Sequence, residues 1–212
     1  MRTKKAMLLG VILLLMVLLG ACAAPAPTPA PTPEPTIPSH FVTYTEENLF
    51  SISYPPDWEP ALSIMEDLEE VVKETLVSIE ADAPVERASM VFFAGVPTEM
   101  GYMPNVNIVV ESSPEIVWTH ENVVEAQIQG MKKYVHDYRE FSRTKTIIGG
   151  REATIVDLEG TFPRASKAHF LVMCTLVGKT AWSVTCTALP PEEFINYEQD
   201  FQAILKSLRI LR

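Results

Sequence analysis

From residue 39 onward, apolar and polar positions follow one another with two different periods, and each period predicts one kind of element. Alternation of Phe50, Ile52 and Tyr54 with Ser51 and Ser53 is typical of a strand with one buried face. Alternating or short continuous apolar runs predict strands at 41–45, 49–54, 90–94, 106–111, 144–148, 151–158, 169–177 and 181–188.

Apolar residues that recur every three or four positions predict three amphipathic helices. The three stripes are Leu62, Met65, Leu68, Val72, Leu76 and Ile79; Val124, Ile128, Met131, Val135 and Tyr138; and Phe194, Tyr197, Phe201, Leu205 and Leu208, the last reaching almost to Arg212. Gly149-Gly150 and Gly178-Lys179 predict hairpins between the strands beside them. Strands joined by hairpins pair antiparallel, so we expect an α+β fold with a mostly antiparallel sheet whose apolar faces are covered by helices.

A further apolar run, residues 7–19, lies near the N-terminus behind the basic residues Arg2, Lys4 and Lys5. Thirteen helical residues rise 1.5 Å each and fall short of the roughly 30 Å hydrocarbon core, which favours a signal peptide over a spanning helix. The run ends in Leu19-Gly20-Ala21-Cys22, which resembles a bacterial lipobox. The resemblance implies cleavage after residue 21 and lipid on Cys22: a diacylglyceryl thioether and usually an N-acyl chain. The alternative is an uncleaved N-terminal anchor in which Cys22 is incidental.

Residues 23–38 form a predicted linker, since proline stands on nearly every second position between Ala, Thr and Glu. Such a sequence favours polyproline II and acts as a semi-rigid stalk of about 50 Å at most. The predicted organisation is therefore a signal peptide over 1–21, a lipidated cysteine and linker over 22–38, and one globular domain over 39–212. The domain faces outside the cytoplasm in a bacterial envelope, and the lipid anchor makes the membrane its first partner.

The net charge of the mature chain argues against a nucleic-acid partner. The precursor has 17 basic and 27 acidic residues, and the signal peptide contains three of the basic ones and no acidic one. The mature chain thus has 14 basic and 27 acidic residues, a net charge of −13. Such a surface repels phosphate backbones, so no nucleic-acid partner is expected.

Outside the cytoplasm, Cys174 and Cys186 are candidates for a disulfide. A three-residue loop, 179–181, would put both cysteines on one apolar face, opposite each other. A two-residue loop of Gly178 and Lys179 suits a type II′ turn and puts them on opposite faces. The apolar pattern favours the first alternative and turn chemistry the second, so the sequence leaves the bridge open.

Four short segments resemble the PsbP-like families. They are Phe-Ser-Ile-Ser-Tyr-Pro-Pro-Asp-Trp at 50–58, Asn-Val-Asn-Ile-Val-Val-Glu at 105–111, the meander 147–160 with its Gly-Gly turn, and the closing helix 201–210. The resemblance implies an α/β/α sandwich around an antiparallel sheet. The families include a photosystem II accessory subunit, a Ran-binding nuclear-import factor and bacterial lipoproteins, which implies a binding or assembly role rather than catalysis. No residue here matches the metal ligands of the plant subunit.

The sequence has no GxSxG, HExxH, P-loop or GxGxxG motif. His136 and Glu140 would lie one helical turn apart, a two-residue match too weak to predict a metal site. We interpret His169 as a strand-edge residue and Trp58 as packing over the core edge rather than stacking on a ligand. We therefore expect no enzyme, no cofactor and no metal, with an unrecognised hydrolase or metal-dependent enzyme as the alternative.

Residues 95–105 are predicted to form a loop, because Gly95, Gly101 and two prolines interrupt regular structure. Met100, Tyr102 and Met103 in this loop are large and apolar, and such residues suit recognition. The hypothesis is that they bind a partner, either another envelope protein or a small ligand. The alternative is that they plug the open end of the sandwich.

Overall fold

The structure, a computed structural model, describes residues 37–61, 87–98, 101–113, 116–162 and 166–211. Cys22, the predicted helix along 62–79, Met100 and the Tyr102 side chain lie outside the described residues. The chain divides into two units, Met1–Glu34 and Pro35–Arg212, and all described residues belong to the second. Over these residues, neither helix combines the length and apolarity needed to cross a bilayer.

The described chain forms ten strands and two helices. In order, they are β1 (Val42–Glu46), β2 (Phe50–Tyr54), β3 (Glu59–Pro60), β4 (Arg87–Thr98), β5 (Gly101–Ser112), α1 (His120–Tyr134), β6 (His136–Ile148), β7 (Arg151–Thr161), β8 (Lys167–Val177), β9 (Thr180–Ala188), the 3₁₀ turn Pro191–Glu193, α2 (Phe194–Ser207) and β10 (Arg209–Ile210). A small sheet has the order β1-β2-β10 and a large one the order β3-β4-β5-β9-β8-β7-β6. Every neighbouring pair is antiparallel.

The large sheet is buried on both faces because each face has its own apolar cluster. Leu171 and Met173 of β8 pack with Phe201 of α2 and with the small sheet. Phe170 and Val172 alternate with them and pack on Ile128 of α1. Helices thus cover opposite faces, as the α+β prediction requires, and the continuous apolar run of β8 is explained by burial on both sides.

Helix α1 begins at a capping box, in which the Thr119 hydroxyl accepts from the backbone N–H of Asn122 and the Asn122 side chain accepts from that of Thr119. It ends at Tyr134, so the prediction that its stripe continues helically to Tyr138 was wrong. Val135 is extended, and its side chain stays buried against Gly160 of β7, where an added Cβ would lie 1.8 Å from Val135 Cγ1. The apolar pattern therefore continues across the junction while the backbone changes from helix to strand.

Within the segment predicted as a loop, 95–105, the described residues 95–98 and 101–105 instead belong to the paired strands β4 and β5. Thr98 pairs with Gly101, and Pro97 with Tyr102. A register shift between Gly95 and Pro97 accommodates the proline, which strands tolerate at bulges. Gly95 also permits close strand approach, because an added Cβ would lie 2.6 Å from the Pro104 carbonyl oxygen.

The β8–β9 turn has two residues, since Val177 pairs directly with Thr180 and Gly178 has the positive φ of 63° that a type II′ turn requires. Cys174 consequently lies opposite Ser183, whereas Cys186 lies opposite Leu171. The two thiols are free, buried and on opposite faces of the sheet. The three-residue alternative was therefore wrong, because a one-residue change of register moves every side chain to the other face.

Trp58 is 3% exposed, with its ring perpendicular to that of Phe201 at 6.1 Å between centroids, which confirms the packing interpretation. The last helix is shorter than predicted. It ends at Ser207, and β10 then pairs Arg209 with Ser51 of the small sheet. This two-residue strand joins the end of the chain to its first hairpin.

Candidate functional site

A cleft of about 250 Å³ lies between the two sheets. Leu49 and Ile210 come from the small sheet, where Leu49 directly precedes β2 and Ile210 pairs with Phe50. Val110 and Val177 come from the large sheet and complete the apolar walls. The cleft therefore exists only because β10 joins the first hairpin over the large sheet.

Three hydroxyl-bearing side chains, Ser89, Ser112 and Thr180, also line the cleft. Strand register explains their common orientation. Ser112 pairs with Thr180, and Ser89 pairs with Val110, so all lie on the face that meets the small sheet. The wall formed by the small sheet is thus apolar, whereas the wall formed by the large sheet combines apolar side chains with hydroxyl groups.

Trp182 of β9 lines the same cleft and is 2% exposed. Its ring contacts Phe50 edge-on, at 6.1 Å between centroids. The indole Nε1–H is buried and has no hydrogen-bond acceptor among the described residues. An indole nitrogen can only donate, and a buried donor left unsatisfied costs about 1–3 kcal/mol.

A charged cluster lies at the opposite end of β8, on the face covered by α2. His169 Nε2 lies 2.6 Å from Asp157 Oδ1, and His169 Nδ1 lies 3.7 Å from Glu159 Oε1. Lys167 bonds to Glu159 as well. The imidazole stacks on Phe194 at 3.6 Å and 6°, and on Phe141 at 5.4 Å and 24°.

This cluster has the arrangement of a catalytic dyad, with His169 bonded to Asp157, yet its geometry is unsuited to proton transfer. Both ring nitrogens of His169 lie near carboxylates, and its imidazole stacks on two phenyl rings. A general base needs a nitrogen within reach of the substrate proton. The cluster instead attaches the start of α2 to the large sheet.

His169 is the third residue of β8, close to the strand end where the sequence interpretation placed it, and β8 itself is an interior strand between β7 and β9. Its carboxylate partners come from β7, across the β7–β8 connection, and no motif spacing reveals them. The register Glu159↔His169 and Thr161↔Lys167 does contain a signal. Alternating acidic residues before a turn and basic ones after it predict charge pairing across a hairpin.

His136 and Glu140 lie on β6, so the helical spacing assumed for them was wrong. Glu140 accepts from Arg143 Nε and from the Tyr138 hydroxyl, each at 2.9 Å. The Arg143 bonds lower the pKa of Glu140, while burial and the bond to Glu140 raise the pKa of Tyr138. No group of three His, Cys, Asp or Glu side chains with the geometry of a metal site occurs within the described ranges.

Of the predicted partner-binding residues, the structure describes the backbone of Tyr102 and the whole of Met103, and it places both away from the cleft. Tyr102 and Met103 lie at the start of β5, whereas the cleft lies at its end. Met103 is half-buried, and its sulfur accepts from Asn105 Nδ2 at 3.2 Å. Their role in binding stays a prediction. Sequence reasoning missed the cleft because its walls depend on the β2–β10 pairing.

The environment of Cys174 and Cys186 disfavours the reactive thiolate form of both side chains. Burial raises the pKa of the Cys174 thiol to about 12 and raises that of Cys186 as well. The thiolate is the reactive form of cysteine, so neither side chain suits nucleophilic chemistry in the folded domain.

No family model matches this chain, and no curated protein matches it. Among solved structures, cyanobacterial PsbP (CyanoP) from Synechocystis sp. PCC 6803 has a TM-score of 0.51 at 8% identity, covering 87% of this chain and 99% of that one. LpqN, involved in cell envelope biogenesis of Mycobacterium tuberculosis, has a TM-score of 0.52 at 10% identity, covering 76% of this chain and 82% of that one. These likenesses show the fold alone, and the predicted α+β, PsbP-like fold is confirmed.

Proposed function

We propose that this PsbP-like domain is the non-catalytic binding module of a lipoprotein, held on the outer side of a bacterial membrane by lipid on Cys22. The anchor is supported by the basic start of the chain, the short apolar run and the lipobox-like residues 19–22. Two or more acyl chains give stable attachment, where one alone is marginal. The proline-rich linker then holds the domain away from the bilayer.

The observation that carries the binding role is the cleft between the sheets. Its walls come from both sheets and combine apolar side chains with the hydroxyl-bearing Ser89, Ser112 and Thr180. Concave, mostly apolar sites with a few polar groups are the usual form of ligand pockets. LpqN, which shares the fold, is described as acting in envelope biogenesis, and a binding or assembly role here is in keeping with that setting.

The alternative of a hydrolase or metal-dependent enzyme has no specific support. The His169–Asp157 pair is the natural candidate for a catalytic dyad, but both nitrogens lie near carboxylates and the imidazole stacks on Phe141 and Phe194. A hydrolase built on this pair would first have to separate Phe194 from the ring and detach the start of α2.

Two measurements on the full chain in a bacterial host test the proposal. Mass spectrometry of the membrane fraction should find a chain that begins at Cys22 with acyl mass, and Cys22→Ala should remain precursor or leave the membrane. A photo-reactive residue at Thr180 should form adducts in native envelopes, while the same residue at exposed Val42 should not. An unlipidated chain starting at Met1, or equal adducts at both positions, contradicts the proposal.

A further inference from the structure

We propose that the outer edge of β6 binds an extended segment of a partner protein as an added strand of the large sheet, and that it selects a segment with an acidic residue opposite Lys145. This inference goes beyond the cleft, because β6 is the last strand of that sheet, two strands from β8. It adds a second interaction surface and the charge of the partner that fits it.

The second half of β6 is a regular strand at an edge of the sheet. Among the described residues, no strand pairs with its outer side. Bulges commonly protect edge strands from pairing with other chains, and two register shifts interrupt the first half of β6. Residues 142–148, in contrast, pair with β7 without interruption. An edge of about 23 Å, at about 3.3 Å per residue, is thus open to an incoming strand.

The turn after β6 determines which backbone groups point outward. The two-residue turn 149–150 joins Ile148 directly to its partner in β7, and the residues that close such a turn are hydrogen-bonded to each other. Every second residue back from Ile148 therefore bonds to β7, because bonded and open pairs alternate along an antiparallel ladder. The N–H and C=O groups of Arg143, Lys145 and Ile147 consequently point away from β7, toward an incoming strand.

The side chains at these three positions set the chemistry of the edge. Ile147 is 67% exposed, and the Lys145 side chain is 78% exposed. Lys145 Nζ lies 4.0 Å from Glu152 Oε1, at the limit of an ion pair, and exposed pairs of this kind contribute little. Arg143 already bonds to Glu140. Lys145 is therefore the cation that can pair with a carboxylate on the incoming strand, with apolar Ile147 beside it.

The distribution of charge supports an acidic partner. Residues 132–151, from the last turn of α1 to the start of β7, include six basic and two acidic residues, a net charge of +4. The rest of the predicted mature chain has eight basic and 25 acidic residues, a net charge of −17. The β6 edge is therefore the basic border of an acidic domain, and it attracts acidic segments that the remaining surface repels.

The same charges argue against a second copy of this chain as the occupant. Antiparallel pairing of two β6 edges about Thr144 would put Arg143 opposite Lys145. Pairing about Lys145 would put that side chain opposite its own copy. Like charges directly opposite each other destabilise a sheet, so the edge disfavours its own sequence and favours an acidic one.

The inference is tested on the lipidated full chain in nanodiscs with the peptide Ac-Thr-Val-Thr-Glu-Thr-Tyr-Thr-NH₂, which puts Val opposite Ile147 and Glu opposite Lys145 in antiparallel register. We expect the peptide to shift the amide resonances of Arg143, Lys145 and Ile147 saturably, and that of Thr146 less. The same peptide with Lys in place of Glu should bind about three- to tenfold more weakly. Lys145→Glu should reverse this preference, whereas Lys133→Glu, an equal change of charge on the exposed side of α1, should preserve it.

Backbone methylation of the peptide tests strand pairing on the unmodified protein. N-methylation at Val and Glu removes N–H groups that face β6 and should weaken binding at least tenfold. N-methylation at the second and third Thr, whose N–H groups point away, should change binding by less than about threefold.

Equal losses from the two methylations, equal binding of the Glu and Lys peptides, or no saturable shift along β6 would overturn the inference. These failures are distinguishable from failure of the proposed function. Lys145→Glu should leave the adducts at Thr180 unchanged, because Thr180 lies in the cleft and not on this edge.

Discussion

The hydroxyl of Ser207, at the end of α2, accepts a hydrogen bond from the backbone N–H of Ser53 in β2, with 2.8 Å between the two atoms. The two residues are 154 positions apart in sequence, and both are buried. The bond attaches the closing helix to the first hairpin just before β10 pairs with β2. It therefore supports the small sheet that forms one wall of the cleft.

Ser207→Ala should lower the free energy of unfolding by about 1–3 kcal/mol, because it leaves the buried Ser53 N–H without an acceptor. Chemical denaturation followed by circular dichroism measures the change. Exposed Ser142→Ala is the matched control and should stay within about 0.5 kcal/mol of wild type. Equal, small effects for both variants would mean that this bond contributes nothing to joining the sheets.

Gly160→Ala should destabilise the domain by about 1–3 kcal/mol or more, since the added Cβ would lie 1.8 Å from Val135 Cγ1. The partner variant Val135→Ala removes the clashing methyl groups and costs stability by itself, because Val135 is buried. In the double variant the two losses should not add, with a coupling of about 0.5–3 kcal/mol. Additive losses would show that Val135 does not pack on Gly160.

The burial of Cys174 and Cys186 leads to two expectations, one for alkylation of their thiols and one for the pH dependence of stability. Iodoacetamide should leave Cys174 and Cys186 unmodified in the native domain at pH 8, and denaturation without reductant should reveal two thiols. The folded-state pKa of Cys174, about 12, exceeds the unfolded value of about 9. The unfolded state therefore loses its proton first, so this contribution to stability is complete below about pH 9 and is lost as the pH rises toward 12. A bridged peptide in the non-reduced digest would contradict the sheet register.

His169→Gln should cost about 1 kcal/mol of stability through the lost contacts with Asp157 and Glu159, a value reduced by partial exposure. It should leave adduct formation by the photo-reactive residue at Thr180 unchanged, because the cluster and the cleft lie at opposite ends of β8. Asp157→Asn is the companion variant and should behave in the same way. Loss of ligand binding at wild-type stability would make the cluster part of the site.

Much of the fold follows from the sequence, because its strongest signals are local. Gly149 and Gly150 both have positive φ, at 57° and 77°, as the hairpin predicted from that dipeptide requires. The stripe from Phe194 to Leu205 likewise forms the helix expected of it. Turn chemistry also proved the better guide at Gly178, where the apolar pattern suggested the wrong register.

What the sequence could not predict depends on distant pairing. Val135 continues an apolar stripe at helical spacing, and only its packing on Gly160 shows that the helix has already ended. The sequence pattern extends the predicted last helix over Arg209 and Ile210. In the structure these two residues form a strand instead, because they pair with an edge of β2. The cleft depends on that pairing, so Trp182 could be predicted as buried but not as part of a site.

Native mass spectrometry of the chain extracted from bacterial membranes tests the central claim most directly, with wild type compared with Val110→Trp, which fills the cleft. The account predicts a wild-type chain that begins at lipidated Cys22 and carries one additional small mass bound in the cleft. In Val110→Trp, of equal helicity by circular dichroism, the lipid should remain and the small mass should be lost. A wild-type chain without any bound mass, or a bound mass that persists in Val110→Trp, would contradict the account.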